Sequence, residues 1–181
     1  MTRTPSRIFD ELLVTLAQEG ERAALERLAQ RWRPRHYAHA RRLLGRAEDA
    51  ADAVQEAWVG IVRGLGRLHD PARFPAWSYA IVTRRCRDLQ RRVARQPAID
   101  PDAKAAEAAA PATHEPGDGL DLRRALAALP PDQRAAVALF YRDGFTVAEI
   151  SLALGAPAGT IKTRLFHARR ILRRVFEGDE P

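Results

Sequence analysis

Residues 145–176 read FTVAEISLALGAPAGTIKTRLFHARRILRRVF, and their pattern decides the fold of the C-terminal part of the chain. The stretch predicts a short helix, a sharp turn and a longer basic helix. Thr146 carries a hydroxyl suited to cap a helix N-terminus. Glu149 stands three residues on, where its carboxylate can reach back to the Thr146 amide. Ile150 and Leu154 give the short helix one apolar side. Gly155-Ala156-Pro157 ends it, because glycine permits a left-handed residue and proline cannot continue an α-helix. Gly159-Thr160 opens the second helix, whose apolar stripe of Ile161, Leu165, Ala168, Leu172 and Val175 keeps helical spacing.

The face opposite that stripe is the informative one. At about 100° per residue, Thr163, Phe166, His167 and Arg170 fall there, with Lys162, Arg169, Arg173 and Arg174 on the flanks. A helix docked in a DNA major groove needs this order: base-reading side chains in its first turns and phosphate-binding cations around them. A solvated basic helix that only packs its domain would carry the cations too. It would not need the tight turn and the preceding short helix, so DNA binding is the better reading.

Working outward, Leu120 to Leu129 predicts a helix ended by Pro130-Pro131. Asp132 to Arg142 predicts another that buries Val137, Leu139 and Phe140, and Asp143-Gly144 turns the chain into the opening stretch. The region 120–176 is therefore a four-helix binding module. Residues 96–119, QPAIDPDAKAAEAAAPATHEPGDG, lose all apolar periodicity and are expected to form a flexible linker. Between Ala94 and Asp121 six acids face two cations, a net of −4. With +7 for the whole chain, the remainder carries +11, so an acidic tether joins two basic domains. Almost all the cations are Arg, the better bidentate partner for phosphate and guanine.

The region 8–95 predicts the other domain. Ile8–Leu16 and Glu21–Trp32 read as helices. Pro34 predicts a kink or restart before an Arg-rich helix, His36–Leu44. His36 and His39 lack an acidic or cysteine partner, so they are expected at the surface rather than on a metal. In AEDAADAVQEAWVGIVRGLGRLHD, Val54, Ala57, Trp58, Ile61, Val62, Leu65 and Leu68 trace one face, and Asp52, Gln55, Glu56 and Arg63 the other. No nucleophile, metal set or phosphate loop accompanies Asp52 and Glu56, so a protein-docking face is a better reading than acid–base catalysis. Gly60, Gly64 and Gly66 point to close helix packing or to fraying.

His69 to Arg73 is a loop, and Phe74-Pro75 starts a helix with proline in the favoured first turn. That helix, FPAWSYAIVTRRCRDLQRRVAR, sets Phe74, Trp77 and Tyr79 beside Arg84, Arg85 and Arg87. Rings that stack on unpaired bases and cations that hold the backbone are what single-stranded DNA binding uses, although the same rings serve equally as core. The single Cys86 excludes an internal disulfide and a cysteine zinc site. No stretch approaches the ~18 apolar residues of a membrane span. The expectation is an all-α, cytoplasmic protein of two small helical domains, with no cofactor, no metal, no membrane partner and no enzymatic activity. A stand-alone DNA-binding regulator remains an alternative on these grounds.

Three stretches together carry a resemblance. AEDAADAVQEAWVGIV, FPAWSYAIVTRRCRDLQRR and ALAALPPDQRAAVALFYRDGFTVAEISLALGAPAGTIKTRLFHARRILRR, in this order and joined by a linker, resemble bacterial RNA polymerase sigma factors of the small extracytoplasmic-function (ECF) group. The resemblance implies sigma region 2 over 8–95, a linker over 96–119 and sigma region 4 over 120–176. It implies that Asp52, Gln55 and Glu56 dock core RNA polymerase. It implies that His69, Asp70, Arg73, Phe74, Trp77, Arg84, Arg85 and Arg87 lie at the melted −10 strand. Thr160, Lys162, Thr163, Phe166 and His167 would read the duplex −35 element, with Arg164, Arg169 and Arg170 toward its phosphates. Members of the family are often held by an anti-sigma factor. Many carry Asn where Arg84 stands and Arg where His167 stands, so the promoter sequence does not follow from the family.

Overall fold

The computed structural model describes residues 4–95 and 119–177, and the expected linker lies outside them except for Gly119, which begins a helix. Among the described residues there are eight α-helices and no strand. The first domain holds α1 (Pro5–Gln18), α2 (Arg22–Leu44), α3 (Ala47–Leu65) and α4 (Phe74–Arg95). A 3-10 turn, Pro71–Arg73, leads into α4, and Asp70 caps it by accepting the Ala72 amide at 3.0 Å. The second domain holds α5 (Gly119–Ala128), α6 (Pro131–Val137), α7 (Val147–Leu154) and α8 (Ala158–Glu177). The helix expected from Asp132 to Arg142 is α6 followed by one wider π turn over Ala138–Arg142.

Two features of the first domain differ from the sequence reading. Pro34 does not restart a helix: α2 runs through it, with Trp32 buried before it and His36, His39 and Ala40 after it. A proline inside a helix costs about 3 kcal/mol, and burial of large side chains on both flanks offsets it. His36 and His39 are not surface residues but fully buried ones. Their rings meet the Tyr79 ring edge-on at 5.1 and 4.9 Å. Ser78 Oγ donates to the Pro75 carbonyl, so it accepts from His36 Nε2 at 3.1 Å, and His39 Nε2 pairs with Thr83 Oγ1 at 2.9 Å. Two imidazole–hydroxyl pairs thus bolt α2 to α4.

The glycines of α3 resolve toward close packing. A Cβ at Gly64 would stand 3.0 Å from the Trp77 ring, and one at Gly60 would meet Ile81 at 3.6 Å. Cys86 is fully buried, as a small apolar filler would be, and burial pushes its thiol up to about 12. In the second domain the local signals act as read. Thr146 Oγ1 accepts the Glu149 amide at 3.2 Å, and Glu149 Oε2 accepts the Thr146 amide at 2.7 Å. Gly155 takes φ +54°, the left-handed stop. Ile161, Leu165 and Ala168 then pack inward with Leu139, Ile150 and Leu154.

The domains pack against each other, α7 on α4 and α6 on α2. Phe145, in the turn before α7, is buried with its ring 5.4 Å from Tyr79 at 87°. Tyr79 Oη donates to Asp143 Oδ2 at 3.2 Å, and Arg134 donates to the Arg42 carbonyl at 2.9 Å. From α1, Arg7 reaches Glu149 at 2.8 Å and the Gly144 carbonyl at 3.3 Å.

The histidine pair has a pH consequence. Burial, with the Arg35 charge in second place for His36 and Arg42 for His39, lowers both imidazoles to about 3. The fold keeps them neutral while the unfolded chain protonates them near pH 6.5, so the unfolded state binds more protons. Their contribution is present above about pH 6.5 and is lost as pH falls toward 3, by about 1.4 kcal/mol per pH unit for each. Replacing His39→Gln should remove about one proton from the pH slope of urea-unfolding free energy between about pH 5.5 and 4.5. An unchanged slope would mean that the folded protein already holds a charged imidazole there.

Candidate nucleic-acid interface

The outward face of α8 begins at the tight turn that Gly155 and Pro157 shape. Thr160, Lys162, Thr163, Phe166, Arg169 and Arg170 are exposed, and His167 is half-buried. Phe166 is 61% exposed, far more than packing alone would leave, and its ring touches the His167 ring at 5.6 Å. Thr163 Oγ1 donates to the Gly159 carbonyl at 3.0 Å, which leaves its methyl and lone pairs outward. The cations divide. Arg164, expected toward phosphate, instead turns inward and pairs with Asp132, with 20% of its side chain exposed. Arg169 donates to Tyr141 Oη at 2.6 Å and lies over the Phe140 and Tyr141 rings. Lys162 and Arg170 are exposed beside the same face.

On the first domain, a groove of about 680 Å³ is lined by Gly64, Arg67, Leu68, His69, Asp70, Arg73, Trp77 and Leu152. It brings His69, Asp70, Arg73 and Trp77 together, with Trp77 half-buried against α3. Phe74, expected at the DNA, is fully buried, edge-on to Trp32 at 5.5 Å, and supports the groove from behind. Arg84 and Arg85 are exposed farther along α4. Arg87 is half-buried, and its Nη1 would stand 3.2 Å from a Cβ at Gly155, the end of α7. A cation at a helix C-terminus meets the negative end of its dipole. Asp52, Gln55 and Glu56 form an exposed face on α3, with Glu56 4.0 Å from Arg85.

Residues 28–96 match the family model of sigma-70 region 2, and residues 119–172 match that of sigma-70 region 4. The ECF RNA polymerase sigma factor SigM of Mycobacterium tuberculosis is 31% identical over 166 residues, spanning 92% of this chain and 84% of that protein. The chain belongs to the ECF sigma factors of RNA polymerase. The ECF sigma-E factor of Escherichia coli is 28% identical over 184 residues, spanning 92% and 93%. Among solved structures, a Bartonella quintana sigma factor RpoE, crystallised with the anti-sigma factor NepR, superposes with a TM-score of 0.68 at 26% identity over 86% of this chain and 98% of that one. As an ECF sigma factor the protein binds core RNA polymerase and promoter DNA and directs promoter-specific initiation. It is a regulatory initiation factor in a family that is not one of classical enzymes. Among the described residues, no helix is long and apolar enough to cross a membrane.

Some residues of this ECF sigma factor escaped the sequence reading. Val62, expected on the core face of α3, is 47% exposed, and Val59 is 48% exposed. The buried arc of α3 centres on Val54, Trp58, Ile61 and Leu65, and Val62 lies one residue past its edge. With Leu25, Ala29, Trp58 and Gln55 the two valines line a shallow groove beside the acidic face. The signal was present in the sequence: Val59 stands on the polar side of α3. Leu152 is 51% exposed on α7 and shares the groove with Trp77. No sequence signal links those two residues.

The division of the arginines predicts different phenotypes. Arg170→Ala should weaken binding of the holoenzyme to promoter DNA and reduce the log–log salt slope by about 0.9. Arg164→Ala should leave the slope intact and lower the melting temperature by a few degrees, through loss of the partly buried Asp132 pair. Equal slope changes in both variants would show that Arg164 leaves Asp132 for phosphate.

Proposed function

We propose that the two domains read two separate promoter elements, each through its own exposed set of residues. Region 2 grips core polymerase through Asp52, Gln55 and Glu56, with Val59 and Val62 supplying the apolar contact that an acidic patch alone lacks. It holds the melted −10 strand with His69, Asp70, Arg73 and Trp77, while Arg84 and Arg85 face its phosphates. Unstacking a base costs a few kcal/mol, and a groove walled by an indole offsets it by stacking. Region 4 lays α8 in the major groove of the −35 element. Thr160, Lys162, Thr163, Phe166 and His167 face base edges there, and Arg170 faces phosphates.

The observation that carries this reading is the outward face of α8, where an exposed phenylalanine and short polar groups precede the cations behind a tight turn. Phe166 has no hydrogen-bonding atom, and in the major groove a thymine methyl is the apolar surface available to it. Each domain binds weakly on its own. Tethering makes the second contact intramolecular, so affinity rises by effective concentration. The protein performs no covalent chemistry, works in the cytoplasm and is held by an anti-sigma factor when idle. The complex of a similar sigma factor with the anti-sigma factor NepR supports that last point.

The test is assembly and transcription with purified core polymerase. The wild-type chain should co-purify with core and give run-off transcripts from its promoters. Reversing charge in Asp52→Lys with Glu56→Lys should lower core affinity at least about tenfold while the helical circular-dichroism signal and melting temperature hold. Core affinity unchanged by both reversals would overturn the docking assignment.

A further inference from the structure

A cavity of about 550 Å³ lies between α1, α2 and the turn that leads into α7, and none of the residues assigned above to polymerase or DNA lines it. Pockets that hold small organic ligands run from about 300 to 1,000 Å³. The wall has two parts. One is apolar, with Pro34, Pro75, Tyr79 and Phe145. The other carries three guanidinium groups, those of Arg7, Arg35 and Arg142. The carboxylates at and beside this wall already have cations: Asp10 has Arg31 at 2.8 Å, Asp143 has Arg142 at 3.1 Å and Glu149 has Arg7 at 2.8 Å. Arg35 has no carboxylate among the described residues and lies over the Trp32 ring, 4.9 Å from its centroid.

Trp32 supplies a second unmet group. It lines the same cavity and is 2% exposed, and its Nε1–H is a buried donor with no acceptor among the described residues. Buried side-chain donors are paired in the large majority of cases, so an orphan on a cavity wall calls for an acceptor. A neutral ligand would leave the Arg35 charge unanswered, and a cation would meet three like charges. A carboxylate or phosphate answers both groups, because it offers two or more oxygens and the guanidinium fork takes them bidentately. The prolines and rings opposite suit an apolar, flat body behind that anion. We propose that this cavity is a binding site for a small ring-bearing oxyanion, held by Arg35 and Trp32 Nε1 with its body against Pro34, Tyr79 and Phe145. The wall draws on α2, α4 and the turn before α7, so the ligand touches both domains and its binding adds to the stability of the whole chain. The site is separate from promoter reading and is measured on the free protein, without polymerase or DNA.

The test is calorimetric titration of the full chain with guanosine monophosphate, a phosphate source, and with 4-hydroxybenzoate, a carboxylate source. At least one of them should bind one-to-one and raise the melting temperature at saturation. If the phosphate arm binds, guanosine and inorganic phosphate should each bind at least about tenfold more weakly, since one lacks the charge-assisted hydrogen bonds and the other the apolar body. Arg35→Gln, at an exposed side chain, should weaken binding at least about tenfold while the melting temperature of the unliganded chain holds. Trp32→Phe keeps a ring and removes the donor, and it should weaken binding as well. The Arg35 variant decides the matter even where Trp32→Phe unfolds the protein. Arg27→Gln, exposed on α2 and outside the cavity, should leave the affinity unchanged. Failure of both ring-bearing anions to bind, inorganic phosphate binding as tightly as guanosine monophosphate, affinity indifferent to Arg35→Gln, or an equal loss in Arg27→Gln would each overturn the site.

Discussion

The packing of Tyr79 is the constraint on which the rest of the structure depends. Its ring is fully buried and meets the rings of Trp32, His36, His39 and Phe145, all edge-on. Its hydroxyl is the one polar point on that ring, and it donates out of the first domain to Asp143 in the second. Burial pushes the phenol well above its usual range, with Asp143 adding to the effect, so it stays a donor at any ordinary pH. Edge-on geometry suits the aromatic quadrupole and fixes orientation as well as distance. Tyr79 therefore sets where α4 lies against α2, and through Phe145 it sets where α7 lies against α4. The Trp77 groove and the cations of α4 inherit their positions from that one residue.

Local chemistry was legible in the sequence, and tertiary placement was not. The helix-turn-helix follows from Thr146, Glu149 and Gly155, whose effects act over three or four residues of backbone. The α8 stripe was equally legible, because Ile161, Leu165 and Ala168 repeat at helical spacing. His36 and His39 were misplaced because a polar side chain enters a core only when a distant partner satisfies it. Ser78 and Thr83 are 42 and 44 residues away. The restart allowed at Pro34 does not occur for a similar reason: packing on both sides carries α2 through the proline. Nothing local marks Arg164 as structural and Arg170 as free. The difference is Asp132, 32 residues upstream, which only the folded domain brings beside Arg164.

The same partition lowers the number of free cations on a chain with a net charge of +7. Phosphate contacts dominate affinity and carry no sequence information, so every free cation raises non-specific binding. Here many arginines are occupied within the protein. Arg31 pairs with the buried Asp10, Arg7 with Glu149, Arg164 with Asp132, and Arg142 with Asp143. Arg169 is held by Tyr141, and Arg134 by backbone carbonyls. Among the exposed cations, Lys162 and Arg170 on α8 and Arg84 on α4 lie beside groups that can read bases.

That arrangement bears on why two weak readers serve better than one strong one. A single domain with enough free arginines to bind alone would bind everywhere, because the electrostatic part of its affinity does not discriminate. Two tethered domains gain affinity only where both elements are present at the distance the tether and polymerase allow. Contacts that hold the domains together compete with that bidentate state. Any free energy stored in the Phe145–Tyr79 and Arg7–Glu149 contacts is subtracted from a state in which the domains bind apart. Discrimination then arises from coupling: affinity appears where both elements are met together.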